Sequence, residues 1–497
     1  MHQGLEQSAR RLGSRDFIRS GADAWSFADI DGLADGCAAL LAAHGVAAGD
    51  RVAVMMSNRV EFVIAVNAVS KLGAASVLLS PAWKAAEVEH AVNLTAPVHA
   101  VADGTGVALL GTRLAGGVTD VDAAELRSAP GHPPSTTRPI AETDEAVLVF
   151  SSGTTGLPKA VRHTHRSIGH ATAHWCDVLD LGSDDRFQVA TPPSHILGLL
   201  NLLAAASAGA TVRLHPRFDL GELLRRIETD RVTLEMAVAP IAIAMANLPN
   251  LEDYDMSSLR YIMWGATPVN ETVARVVSER TGVRWLPAYG ASEVPVIACN
   301  PVREPGAWRL DSAGLPVPGV ELRVADLDTG RIVEPGESGE IQVRSPSAMA
   351  GYLPDEATAG AFADGWYRTG DVGWLEAEGW VHLTDRSKEM IKVNGFQVAP
   401  AEIETVLLGH PAVLDCAVFG LPDERAGELP VAAVQADPAR PVTAGELQQL
   451  VAETLATYKQ LRHVVFVDAV PRLPSGKALR RQLRDEWVPA LAAGTVA

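Results

Sequence analysis

Residues 147–159, VLVFSSGTTGLPK, run from four apolar residues suited to a buried strand into a loop of small hydroxylated residues and glycines that ends on a lysine. Ser151, Ser152, Thr154 and Thr155 offer hydroxyls, Gly153 and Gly156 let backbone N–H groups approach an anion closely, and Lys159 adds a mobile positive charge. A loop of this kind can wrap a polyphosphate. It is not a Walker A loop, because GxxxxGK[ST] is absent and Pro158 sits badly at the start of a helix. Taken alone, the segment reads equally well as an ordinary Ser/Thr/Gly turn after a strand.

Four further segments carry residues fit for chemistry: Tyr289-Gly290-Ala291-Ser292-Glu293, Tyr367-Arg368-Thr369-Gly370-Asp371, DRSKEMIKVNGFQVAPAEIE from Asp385 to Glu404, and Pro474-Ser475-Gly476-Lys477. Three of them have a plain alternative. Glu293 reads as a solvated loop residue, Tyr289 as a packed strand end, Arg386 as a surface partner of Asp385, and 474–481 as a solvated basic turn whose Arg480 and Arg481 decorate the next helix.

The elements that must position these residues follow from patterning. From about residue 27 to 300, helical stretches such as 29–44 and 60–72 alternate with short apolar runs such as 51–56 and 75–79, which predicts helices stacked on largely parallel sheets. After Pro301 short alternating segments between glycines and prolines predict a β-rich module over about 301–387. From Glu389 a mixed pattern returns, with helices over 398–413 and 444–458 and strands over 414–421 and 463–470. The fold class is therefore α/β: a large N-terminal domain, residues 1–387, of stacked α/β layers with a β-rich subdomain, and a small α+β C-terminal domain, 388–497. The junction is the charged stretch 385–389, so any hinge there is short.

Composition narrows the function. At 497 residues, about three folding units are expected. A net charge of −18 disfavours nonspecific nucleic-acid binding. Cys37, Cys176, Cys299 and Cys416 have neither CxxC nor Cys/His spacing, so they read as reduced core thiols. The N-terminus has arginines but no apolar h-region, which makes the cytoplasm the default location. The uncharged run 196–212 reads as a buried helix leading into a strand, not as a membrane span.

In this order and at these separations the five segments closely resemble the core motifs of the adenylate-forming superfamily, which includes acyl-CoA synthetases, firefly-type luciferases and peptide-synthetase adenylation domains. The resemblance covers nearly the whole chain. It implies an acyl-CoA ligase that activates a carboxylic acid with MgATP as an acyl adenylate, releases pyrophosphate and passes the acyl group to coenzyme A. An acyl carrier protein is the alternative acceptor.

By the same resemblance Ser151, Thr154, Thr155, Gly156 and Lys159 belong to the phosphate loop. Glu293, with Thr154, would hold magnesium, for which oxygen donors are apt. Tyr289 and Ser292 would border the nucleotide, with Tyr289 stacking on adenine. Asp371 would accept from the ribose hydroxyls, as an ionised carboxylate can, with Arg386 beside it. Lys477 is the catalytic lysine of the resemblance, a point charge on a flexible stem suited to arriving with a moving domain. That domain is expected to turn about Lys388, withdrawing Lys477 and presenting Asn394, Gly395 and Phe396 to the incoming thiol, with Gly395 letting it pass closely.

Substrate choice lies between the motifs. His195 stands where amino-acid-activating relatives place an aspartate, which argues against an amino-acid substrate and suits a histidine gating the carboxylate site. A satisfied core histidine is the equal alternative. Trp264 in WGATP stands where relatives commonly carry Ser, Gly or Ala beside the acyl pocket, and an indole there would fill the space a long chain needs. A short- or medium-chain fatty acid or a compact aryl acid is expected. If Trp264 packs away from the pocket, this expectation falls.

Overall fold

The computed structural model describes residues 1–492 except 123–138, 152–157, 266–268, 387–388, 394–395, 424 and 474–475. Thr154, Thr155, Gly156, Lys388 and Gly395 therefore lie outside the described residues.

Two large sheets arise from the alternating half of the chain. The first runs from strand Arg186–Val189, flanked in parallel by Thr211–Leu214 and Leu234–Ala237, out through Tyr261–Trp264 and Trp285–Tyr289 on one side and Asp16–Ser20 on the other. The second has Arg51–Met55 paired in parallel with Ala75–Leu78 and His99–Ala102, and continues through Glu145–Ser151 to the antiparallel strand Lys159–Thr164. Parallel strands covered on both faces read as unbroken apolar runs, which is why these were visible in the sequence.

The helices between them are specified locally. Helix Phe27–Ala43 starts on a capping box in which Ser26 Oγ accepts from the Asp29 N–H and Asp29 Oδ2 accepts from the Ser26 N–H. Helix Val60–Lys71 is buried along its whole length, and its Lys71 ammonium is met by Asp31 and Asp35. The run 196–212 is helix Ile196–Ala208 followed by strand Thr211–Leu214. Among the described residues no helix is long and apolar enough to cross a membrane.

The stretch after Pro301 is β-rich, but its strands are shared out. Glu321–Ala325, Gly339–Arg344, Trp366–Leu375 and Val381–Arg386 form a sheet of their own, joined by the short Phe362–Ala363. Leu315–Pro316 instead extends the first large sheet through Ala298–Cys299, and Gly351–Leu353 pairs antiparallel with Lys159–Thr164 at the edge of the second. Pairing between strands this far apart in the chain leaves no trace in local periodicity.

A fourth sheet, built on the hairpin Val413–Asp423 and Gly427–Ala436, carries helices Pro400–Leu408 and Ala444–Thr454 and has its own apolar core. The last of these helices stops short of the expected Tyr458, which lies in the one-turn segment Thr457–Lys459. All four cysteines are free; burial pushes the Cys37 thiol up to about 12 and that of Cys176 to about 11, so both are inert thiols at neutral pH.

Candidate functional site

Tyr289 ends strand Trp285–Tyr289, and Asp371 sits mid-way along Trp366–Leu375. Both side chains are buried, and the Tyr289 hydroxyl donates to Asp371 Oδ2 at 2.6 Å. The Asp371 N–H is tied to Thr369 Oγ1, which fixes the backbone at that point. Arg386 is the cross-strand neighbour of Asp371 in the antiparallel register, so the two residues expected to flank one hydroxyl-bearing ligand are brought side by side.

Glu293 is fixed from three directions. The Tyr352 hydroxyl donates to its Oε1 at 2.8 Å, the Met349 N–H donates to its carbonyl at 2.8 Å, and the His163 imidazole donates from Nε2 to the carbonyl of Ser292 at 2.8 Å. His163 is fully buried, which lowers its pKa to about 4 and keeps it neutral in ordinary buffers. Lys159, at the start of the strand that carries His163, holds its ammonium 5.2 Å from the centre of the Tyr352 ring. Ser151 is the cross-strand partner of Lys159. The lysine and the carboxylate of two remote motifs thus meet on one tyrosine.

Lys477 lies just beyond a turn in which the Gly476 N–H donates to the Leu473 carbonyl and the Leu473 N–H to the Lys477 carbonyl. Gly476 has φ +85°, and a Cβ there would lie 2.8 Å from Pro240 Cδ; only glycine lets this turn rest against the start of helix Ala239–Asn247. The Lys477 ammonium is 2.9 Å from Glu389 Oε1. The other Glu389 oxygen meets Arg480, whose guanidinium also pairs with Glu404 and donates to the Val418 carbonyl. This corrects the reading of Arg480 as decoration. It is a half-buried cation held by two carboxylates, whereas Arg481 is exposed beside Asp485.

A cavity of about 210 Å³ joins these groups. Tyr289, Gly290, Asp371 and Asp385 line it from one side, Glu389, Glu404, Lys477 and Arg480 from the other, and Trp264 with Ile243 forms apolar floor. Asp385 also accepts from the Ala401 N–H, linking strand Val381–Arg386 to helix Pro400–Leu408. Trp264 is fully buried and meets Trp285 edge-on at 5.1 Å. It is at once a core residue and part of the cavity lining. His195 stands at the N-cap position of helix Ile196–Ala208 without a side-chain capping bond and is not among the residues lining this cavity; burial lowers its pKa.

Three residues of the arrangement went unassigned in the sequence: Tyr352, His163 and Glu389. Glu389 follows Lys388 in the charged stretch 385–389, where nothing local distinguishes it from its neighbours. Tyr352 follows Gly351, whose φ of +146° and close approach to Thr358 demand glycine, and a Gly-aromatic step of that kind is a weak but usable signal.

Among the described residues no group of three metal-ligating side chains occurs. Magnesium held against a polyphosphate uses one or two carboxylates and substrate oxygens. Glu293 fits this chemistry: Tyr352 occupies Oε1, and Oε2 makes no hydrogen bond to another described residue.

Comparisons with known proteins bear on the whole arrangement. The model of the AMP-binding enzyme family matches residues 5–353, and that of the AMP-binding enzyme C-terminal domain matches 402–477. A 4-coumarate–CoA ligase of Oryza sativa subsp. japonica is 36% identical, the alignment covering 94% of this chain and 90% of the relative. The structure of o-succinylbenzoate coenzyme A synthetase from Bacillus subtilis with ATP and magnesium superposes with a TM-score of 0.86 at 31% identity, over 97% of this chain and 99% of that one. The anthranilate CoA ligase AuaEII with anthranoyl-AMP gives a TM-score of 0.92 at 25% identity, over 99% and 98%. The chain belongs to the AMP-binding enzyme family, as its motifs led one to expect, and the α/β architecture is that of its structural neighbours.

Proposed function

We propose that this AMP-binding enzyme is an AMP-forming ligase that joins a compact aryl acid, or a short- or medium-chain fatty acid, to coenzyme A. The observation that carries this reading is the single cavity in which Tyr289 and Asp371 face Lys477. An aryl acid is favoured because the apolar part of the lining includes the indole of Trp264, held from behind by Trp285, a surface suited to a flat ring and poor in room for a long chain. The relatives named above, a coumarate, a succinylbenzoate and an anthranilate ligase, all act on aromatic acids by name.

The chemistry requires no protein nucleophile. The acid's carboxylate attacks the α-phosphorus of ATP, the bond to pyrophosphate breaks, and the enzyme's part is to align two anions and balance the charge that develops. In this reading Asp371 accepts from the ribose hydroxyls, Tyr289 lies against the base, and Lys159 with the 151–156 loop holds the phosphates. Lys477 places its charge where the carboxylate and α-phosphate meet. Magnesium, held by Glu293 and Thr154, supplies charge neutralisation of the phosphates when bound. His195 is assigned to the carboxylate entrance. The division at 387/388 makes residues 388–497 the moving part, and turning about Lys388 takes Lys477 away and brings Gly395 to the pantetheine thiol, which then displaces AMP.

Incubation with MgATP, coenzyme A and separate cinnamate-type, benzoate-type, C4–C8 and C16 acids, followed by chromatographic detection of acyl-CoA, tests this. The expected product is an aryl or short-chain thioester together with AMP. Preference for the C16 acid, or thioester formed only on a carrier protein, would contradict it.

A further inference from the structure

The hydroxyl of Tyr352 is the feature that the proposed chemistry leaves unused. Tyr352 lies on strand Gly351–Leu353, which departs from its neighbours in sequence to pair with Lys159–Thr164, Tyr352 standing opposite Val161. That register sets its ring beneath the Lys159 ammonium, at 5.2 Å, while its hydroxyl reaches Glu293 Oε1 at 2.8 Å and lies 3.4 Å from the Tyr367 hydroxyl. One side chain thus touches a cation with its face and a carboxylate with its edge, and both belong to the nucleotide-binding motifs. The same strand pair carries His163, whose bond to the Ser292 carbonyl pins the residue before Glu293.

A carboxylate that is to meet a cation through one oxygen gains from having the other oxygen fixed. Free rotation about its terminal torsion would otherwise have to be frozen on binding. A tyrosine hydroxyl is a fitting partner because it orients the group without neutralising it, as an arginine would.

We propose that Tyr352 is a positioning residue for the metal-assisted binding of ATP: it fixes the Glu293 carboxylate, and through its ring the Lys159 ammonium, in one geometry. This rests on the reading of Glu293 as the magnesium-holding carboxylate. Tyr352→Phe keeps the ring under Lys159 and removes the bond to Glu293.

The test is calorimetric titration of the nucleotide-free protein with ATP, once with magnesium and once with EDTA, for the wild type, Tyr352→Phe and Glu293→Gln, with melting temperatures taken alongside. Loss of a hydrogen bond to a charged group predicts that Tyr352→Phe weakens binding about tenfold in magnesium. Binding in EDTA should not change. Glu293→Gln should lose the magnesium-dependent gain altogether.

If Glu293→Gln keeps the full magnesium gain, the assignment of Glu293 fails and this proposal fails with it. If Glu293→Gln loses the gain and Tyr352→Phe keeps it, the proposal alone is overturned. Equal weakening by Tyr352→Phe with and without magnesium also overturns it, because the hydroxyl would then only shape the pocket. Should Tyr352→Phe melt far below the wild type, the titrations are made at a temperature at which both proteins are folded, and the same outcomes decide.

Discussion

The two sides of the cavity treat their carboxylates differently. On one side Asp371, in the cavity wall, is met by the neutral hydroxyl of Tyr289, and Glu293, outside the lining, by that of Tyr352. On the other side, Glu389 and Glu404 are met by the cations Lys477 and Arg480. A hydroxyl orients a carboxylate and leaves its charge for a ligand; an ammonium or guanidinium consumes that charge. In the proposed reading the first side accepts from ribose hydroxyls and holds a cation, and the second holds one lysine in place.

Removing an acceptor on the first side should give the largest effect on binding. Asp371→Ala is expected to lower kcat/KM for ATP by about a hundredfold, the loss of paired hydrogen bonds to a charged acceptor, while leaving KM for the acid within reach of the wild type. Steady-state kinetics with ATP varied decides it, and an unchanged kcat/KM would break the contrast.

Glu235 shows what happens when a carboxylate has neutral partners and no opening. It is fully buried, accepts from Gln188 Nε2 and the Met236 N–H, and burial raises its pKa from 4.5 to about 8. The native state then holds a proton that the unfolded chain releases, so stability is greatest below about pH 4.5 in this respect and declines as pH rises towards 8. Glu235→Gln should abolish that decline, a difference of roughly 4 kcal/mol in unfolding free energy at pH 8.5 that falls below about 1 kcal/mol near pH 5. Urea unfolding at the two pH values reads it directly, and identical pH dependence in both proteins would contradict it.

The smallest effect is expected from removing the carboxylate partner of Lys477 and keeping the lysine itself. Glu389→Gln loosens Lys477 but leaves Arg480 paired with Glu404, which predicts about a tenfold loss of acid-dependent pyrophosphate exchange. Thioester formation from supplied acyl adenylate should not change. A fall in both half reactions would mean that Glu389 only stabilises the fold.

Much of this was legible beforehand, for identifiable reasons. Parallel strands buried on both faces leave apolar runs, so the sheets around Arg51–Met55 and Arg186–Val189 were visible, and motif residues such as Tyr289, Asp371 and Lys477 stand in segments too distinctive to miss. Which of them touch was not legible: Tyr289 and Asp371 are 82 residues apart, and nothing local announces their bond. Strand Gly351–Leu353 is only three residues long and takes its partner from a remote edge, which hid Tyr352. Arg480 reads as solvated in the sequence because it follows a basic turn, and only the fold brings Glu389 and Glu404 to it.

The claim that the cavity's two sides act together in the first half reaction alone is tested most directly on Lys477→Ala. The variant should lose acid-dependent ATP–pyrophosphate exchange by at least about a hundredfold, the scale of removing one charge-stabilising group from a transition state, and convert synthetic acyl adenylate and coenzyme A to thioester at the wild-type rate. Equal loss of both reactions, or exchange that survives intact, would contradict it.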